Sequence, residues 1–166
     1  MTSRPAVPRA DRPHMPGYGI EPAPAGRGLL PWSWAEERLA AARNYWLATA
    51  GADGQPHLAA VWGIWADGRL VFSTGGRSRK ARDLAFNDRC AVSAEDGAES
   101  VVVQGGVERV DGADAIAAIA AIYQAKYGSG FPDPAGNPLL AVRPSTVIAV
   151  VEASFTTAAT RWTFAS

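Results

Sequence analysis

The sequence predicts a mainly β protein: six or seven antiparallel strands closed into a barrel, with a few short helices at its periphery. Three observations predict it. Strand-like segments follow one another through tight-turn signals, Asp53-Gly54 and Ala66-Asp67-Gly68, whose residues suit the positive φ angles of hairpins. No internal repeat occurs at a solenoid or propeller period. A chain of 166 residues allows one compact domain and hardly two.

The elements follow in order. Residues 1–31 hold seven of the twelve prolines and show no periodicity, so they read as a non-regular N-terminal arm. The arm is either a disordered tail or a strap for a partner subunit. The ordered domain, 32–166, opens at Ser33-Trp34-Ala35-Glu36, which fits a capping box and predicts a helix from Ser33 to about Arg43. Tyr45 to Ala50, Pro56 to Trp65 and Arg69 to Thr74 read as a three-stranded meander. Gly75-Gly76 breaks it. Ser78 to Asn87 has helical spacing, with Ala81, Leu84 and Ala85 on one face. Cys90 to Glu95, Val101 to Val110 and Val147 to Ala153 are further strands. Asp111-Gly112-Ala113-Asp114 supplies N-cap chemistry for an amphipathic helix carrying Ile116, Ile119, Ile122, Tyr123 and Tyr127 and stopping at Gly128. Residues 128–138 form a Gly/Pro loop, and Thr160 to Phe164 reads as a last edge segment.

Composition excludes several classes. Basic and acidic residues number 16 each, which argues against a surface built for nucleic acid. The longest apolar run, Ala115–Tyr123, is far short of the roughly 20 residues of a membrane span. With no apolar leader at the N-terminus, a cytoplasmic protein is expected. One cysteine, Cys90, and two histidines, His14 and His57, leave no disulfide framework and little for a metal site. Cys90 reads as a buried structural thiol and His57 as an edge residue. No GxGxxG, GxxxxGK[ST], HExxH or GxSxG occurs, and no paired carboxylates suggest acid–base work. No catalytic side chain and no metal ligand is therefore assigned.

The concentrated signal is Arg77-Ser78-Arg79-Lys80-Ala81-Arg82, four of six positions basic, opening a helix after two glycines. The first turn of a helix presents unpaired N–H groups, and its dipole favours an anion. Ser73, Thr74 and Ser78 add hydroxyl donors. The pattern points to a phosphate site; the alternatives are a solvated helix start balanced by Asp83 and Asp88, or a nucleic-acid patch, which a neutral chain supports poorly. A second signal is Ala60-Val61-Trp62-Gly63, where small residues beside Trp offer a flat wall and Gly63 marks a bulge or close approach. Alternation sends Trp62 and Trp65 to opposite faces. A third is Gln104-Gly105 in a Val-rich strand, where a buried Gln would need a partner. A phosphate anchor beside a flat wall suits a flavin-type cofactor, which carries its own redox chemistry.

Read in order, Trp46-Leu47-Ala48-Thr49, Asp53-Gly54-Gln55-Pro56-His57, Val61-Trp62, Gly68-Arg69-Leu70-Val71-Phe72-Ser73-Thr74, Ser78-Arg79-Lys80-Ala81-Arg82-Asp83-Leu84 and Asn87-Asp88-Arg89-Cys90 carry a resemblance. They resemble the pyridoxamine 5'-phosphate oxidase-like, FMN-binding split β-barrel superfamily over roughly residues 32–164. The match is nearest its flavin/deazaflavin oxidoreductase branch, many of whose members use coenzyme F-420. The resemblance implies a homodimer with cofactor sites at the subunit interface. It implies phosphate binding by Ser73, Thr74, Ser78, Arg79 and Lys80, and a ring system lying along Ala60, Val61 and Trp62. It also implies that Gln104 and Gly105 lie near the ring or ribityl chain, and that Arg161-Trp162 approaches the partner's cofactor. Asp83 departs from the Asn of many relatives, and Asp88 from a frequent Pro. No counterpart of the residues that grip pyridoxamine phosphate is found.

The expected function is hydride transfer between reduced F-420 and an electron-poor small-molecule substrate, with Arg77, Arg82 and Arg43 available to an anionic cofactor tail. FMN in place of F-420 is the alternative within the enzyme class. A non-catalytic carrier of flavin, deazaflavin or haem is the alternative outside it.

Overall fold

The computed structural model describes residues 7–130 and 132–165, so Met1–Ala6 of the arm lie outside the described residues. Eight strands form one antiparallel sheet: β1 (Arg9–Asp11), β2 (Asn44–Ala50), β3 (Pro56–Ala66), β4 (Arg69–Ser73), β5 (Arg89–Ala94), β6 (Glu99–Arg109), β7 (Leu139–Val151) and β8 (Thr160–Thr163). The order is β1-β8-β7-β4-β3-β2-β5-β6, and β6 also pairs with β7. That last pairing closes β2 to β7 into a six-stranded barrel, with β8 and β1 added outside β7. The predicted antiparallel barrel is the observed fold. Among the described residues there are four helices, α1 (Trp32–Ala41), α2 (Arg79–Phe86), α3 (Ala113–Tyr127) and the short α4 (Phe155–Ala158).

Alternation fills the barrel. Tyr45, Leu47, Val61, Leu70, Phe72, Val92, Val101, Val103, Val142 and Val147 point inward and are buried. Ala35 and Leu39 of α1 pack onto this core. A second cluster lies outside the barrel wall, where Ile119 and Tyr123 of α3 cover Ile64, Val71 and Ala141. Burying one such aliphatic side chain is worth about 1.5–3 kcal/mol.

Four expectations are corrected. Ser33 does not cap α1: the helix begins one residue earlier, behind Pro31, with no side-chain cap. Proline is tolerated at a helix start because its missing N–H would be unpaired there anyway. β7 is thirteen residues long rather than the seven of Val147 to Ala153, and Glu152–Ser154 is a 3-10 turn. Arg143 and Pro144 hid its first half, and the strand accommodates them opposite a register shift at Gln104/Gly105. Ala85 is exposed, and Asp83 with Leu84 forms the buried side of α2. The arm is not wholly irregular either, since Arg9–Asp11 pairs with β8. There the guanidinium of Arg12 donates to the carbonyls of Glu21, Thr157 and Ala159 at 2.8–2.9 Å.

Candidate functional site

The outer face of the barrel over β2, β3, β5 and β6 is largely bare. Trp46 pairs across to Ala60 on one side and Ser93 on the other, while Ala48 pairs with Leu58 and Ala91, and Ala91 with Gln104. Residues that point outward thus form a mostly apolar surface, with Leu58 62%, Trp62 48% and Trp46 47% exposed. β4 ends at Ser73, and its partner register on β3 reaches Gly63 opposite Phe72. Ser73 and Trp62 therefore lie one step further along the two neighbouring strands. Beyond that point α2 packs against β2 and β3.

α2 starts beside this face. Ser78 is its N-cap, and its hydroxyl accepts the Ala81 N–H at 3.3 Å while contacting the Thr74 hydroxyl at 3.0 Å. The Ser73 hydroxyl donates to the Asn137 carbonyl at 3.3 Å. These hydroxyls hold the β4–α2 turn in shape. The anion-binding capacity of the site rests on the helix's first N–H groups and on its cations. The first turn of α2 contains no acidic residue. Among the described residues Arg77, Lys80 and Arg82 form no ion pair, and Arg79 is paired only loosely with Asp83, at 3.8 Å. Asp83 is buried, and the same oxygen that faces Arg79 accepts the Thr49 hydroxyl at 2.8 Å. Arg79, Arg82 and Asp83 border an open cleft of about 570 Å³ that also touches Gly51, Asp53 and Gln55 of the β2–β3 turn.

Gln104 is exposed on the outer face, and Gly105 sits at the register shift. A Cβ on Gly105 would come within 2.0 Å of the Arg143 carbonyl oxygen, so no other residue fits. Gly63 lies against protein rather than open space: a Cβ there would meet the Val71 carbonyl at 3.0 Å.

The end of α3 closes one side of the site. Tyr127 stacks on Trp62, and Lys126 donates to the Gly63 carbonyl and to the Tyr45 hydroxyl, both at 3.0 Å. The Tyr45 hydroxyl donates in turn to the Leu39 carbonyl. Burial lowers the Lys126 ammonium from 10.5 to about 8 and raises the Tyr45 phenol. Glu95 accepts the Arg43 backbone N–H at 2.8 Å and the Asn44 side-chain amide at 3.1 Å, which together hold its carboxyl below the usual range.

The sequence profile described as pyridoxamine 5'-phosphate oxidase matches residues 34–155. The chain belongs to the pyridoxamine 5'-phosphate oxidase family. No curated protein matches it in a sequence comparison. Among solved structures, an F-420 reductase superposes with a TM-score of 0.55 at 27% identity, over 68% of this chain and 94% of its own. A haem-binding protein from Mycobacterium smegmatis superposes with a TM-score of 0.62 at 22% identity, over 73% of this chain. This chain spans just over half of that protein's length, 55%. An FMN-binding, pyridoxamine 5'-phosphate oxidase-related protein from Nostoc punctiforme superposes with a TM-score of 0.51 at 20% identity, over 70% of this chain and 78% of its own. The latter two likenesses, at these identities, concern the fold.

Within this pyridoxamine 5'-phosphate oxidase barrel, the structure brings most of the sequence-chosen residues to one region. Ala60, Trp62 and Gln104 share the outer face, and Ser73, Arg77, Ser78, Arg79, Lys80 and Arg82 cluster at and around the α2 start, with Gly105 at the bulge. Val61 and Thr74 are buried, Val61 in the barrel core. Trp162 does not join them. It is 1% exposed and packs edge-on against Trp32 at 5.4 Å, so its ring fills the core instead of reaching outward. Cys90 is buried, and burial pushes its thiol up to about 12. His57 lies half-buried on β3, opposite Thr49.

Sequence reading missed Lys126 and Tyr127 as parts of the site. Tyr127 belongs to the amphipathic pattern of α3 and Lys126 to no motif, and nothing local marks where that helix lands in space. Gly128, already the expected stop, ends the helix with its left-handed backbone (φ 68°), but it does not say which strand that end meets. No helix among the described residues is long and apolar enough to cross a membrane, and no cluster of metal-ligating side chains occurs among them.

Proposed function

We propose that this chain is a dimeric oxidoreductase that binds the deazaflavin F-420 and passes hydride to an electron-poor organic substrate. The observation that carries the reading is the start of α2: Arg77, Lys80 and Arg82, without ion pairs among the described residues, beside a helix N-terminus and next to the exposed Trp62 face. Cations around the first turn of a helix fit a phosphoester, and the apolar sheet face fits a planar ring. Arg79 and Lys80 would hold the phosphate, Ala60 and Trp62 would lie along the ring, and Gln104 would offer its amide to the ring's polar edge. Arg82 and the cleft it borders would take an anionic tail.

The group supplies a hydride from its reduced ring. The protein orients the ring, keeps water from it and leaves one face open to substrate. The exposed Trp46 and Leu58 support burial of this face by a second copy, which would complete the pocket. An FMN-binding relative and a haem-binding relative in the same fold supply the two competing ligands.

The test is a parallel fluorescence titration of the purified protein with F-420 and with FMN, followed by absorbance of the bound, reduced cofactor on adding electron acceptors. Tight binding of F-420 and acceptor-dependent oxidation are expected. Preference for FMN would move the chain to flavin chemistry. Binding without acceptor-dependent oxidation would make it a carrier.

A further inference from the structure

Tyr127 lies flat on Trp62, ring centroids 4.8 Å apart and planes 4° from parallel. Its hydroxyl is fixed from several sides. It accepts the Gly63 N–H at 3.0 Å, and its proton faces the carbonyl oxygens of Arg43 at 2.7 Å and Gly63 at 2.8 Å. The Arg43 guanidinium stands 5.5 Å from the same ring's centroid. Tyr123 packs against it on α3, with centroids 4.6 Å apart. A ring held at its hydroxyl and along its side cannot turn without breaking these contacts. α3 stops immediately after it, at Gly128.

The consequence falls on Trp62. One face of its indole is covered by a phenol that cannot move, while half of the residue stays open on the bare side of β3. An exposed tryptophan on a sheet would otherwise sample several rotamers. We infer that Tyr127 is a positioning residue, which locks the plane of Trp62 so that the indole's free face is a preset wall for a flat ring ligand. This rests on the reading of the outer face as a ring-binding surface. A preset wall spares the ligand the ordering of a mobile side chain, and that raises affinity for the ring without touching the anion anchor.

The experiment uses the full chain and three probes: F-420, FMN and, as a competitor, inorganic phosphate. For Tyr127→Ala, affinity for whichever ringed probe the wild type binds is expected to fall about tenfold. The inhibition constant of inorganic phosphate stays unchanged, and the near-ultraviolet circular dichroism of the Tyr–Trp stack is lost. Tyr127→Phe keeps the ring but frees the hydroxyl clamp, and a smaller loss of ring affinity, again with phosphate inhibition unchanged, is expected. It carries the test alone if the alanine variant does not fold. Equal loss of phosphate and ring binding would make Tyr127 merely structural and overturn the inference, as would ring affinity untouched in the folded variants. A wild type that binds neither F-420 nor FMN is seen before any variant is made, and it overturns both this inference and the reading beneath it.

Discussion

The hydroxyl of Thr49 donates to the buried carboxylate of Asp83 at 2.8 Å, tying the end of β2 to the middle of α2. Asp83 Oδ1 is also the atom nearest to Gly51, where a Cβ would stand 2.9 Å from it. Asp83, which the resemblance sets against an Asn in many relatives, thus has one oxygen at the β2–β3 turn, while the oxygen that accepts from Thr49 also stands 3.8 Å from the Arg79 guanidinium.

Asp83→Ala should therefore act on stability. It strands a buried hydroxyl, at a cost of about 1–3 kcal/mol. Asp83→Asn keeps an acceptor for Thr49 and should lie close to wild type. Thermal unfolding of the two variants checks this; equal destabilisation by both would show that charge, not hydrogen bonding, holds the contact.

Lys80→Ala should act on binding. Losing a charge-assisted contact costs about 1.5–3 kcal/mol, roughly tenfold or more in affinity. No ion pair within the described residues holds Lys80, so the unfolding midpoint of the ligand-free protein should not move. Unchanged cofactor affinity would remove the phosphate from this helix start.

Gly105→Ala should be far more damaging than Gly106→Ala. At Gly105 the new methyl would meet backbone, the Arg143 carbonyl at 2.0 Å, where β6 and β7 close the barrel. At Gly106 the nearest atom is Asp88 Oδ2 at 3.5 Å, an ordinary contact. Soluble yield and denaturant midpoints rank the pair, and equal midpoints would mean that the bulge can relax.

The pH profile has a sign that can be worked out. Lys126 titrates at about 8 in the folded chain against an ordinary 10.5, so folding sheds a proton between those values and stability rises with pH from about 8. Cys90 runs the other way: its thiol, raised from 9.0 to about 12, makes stability fall above pH 9. The raised phenol of Tyr45 adds to that fall above pH 10. Midpoints should climb between pH 8 and 9, level off between 9 and 10 where the Lys126 and Cys90 slopes cancel, and fall above 10. Lys126→Met should lose the climb; a variant that still shows it would assign the proton elsewhere.

The meander from Asn44 to Ser73 was legible because Asp-Gly turns and strict alternation are local signals, and so was α2, whose cap and basic first turn are contiguous in sequence. The first half of β7 was not. Arg143 and Pro144 contradict a strand locally, and only the missing side chain of Gly105, some forty positions away, makes room for them. The capping box at Ser33 failed because Pro31 ends the preceding extended segment and starts the helix sooner. Within the site, the cation cluster stands next to itself in the chain. The Tyr127–Trp62 stack joins residues whose proximity depends on where a fifteen-residue helix lands.

The pairing of Arg9–Asp11 with β8 has one more consequence. Without β1, β8 would be the rim of the sheet, and its outward N–H and C=O groups would be a template for a strand from another molecule. The proline-rich stretch supplies that strand from the same chain, and Arg12 fastens it with hydrogen bonds to the Thr157 and Ala159 carbonyls that precede β8. The arm thus replaces the β8 edge with one only three residues long, and removing it is expected to bare β8 and raise self-association, which light scattering would read.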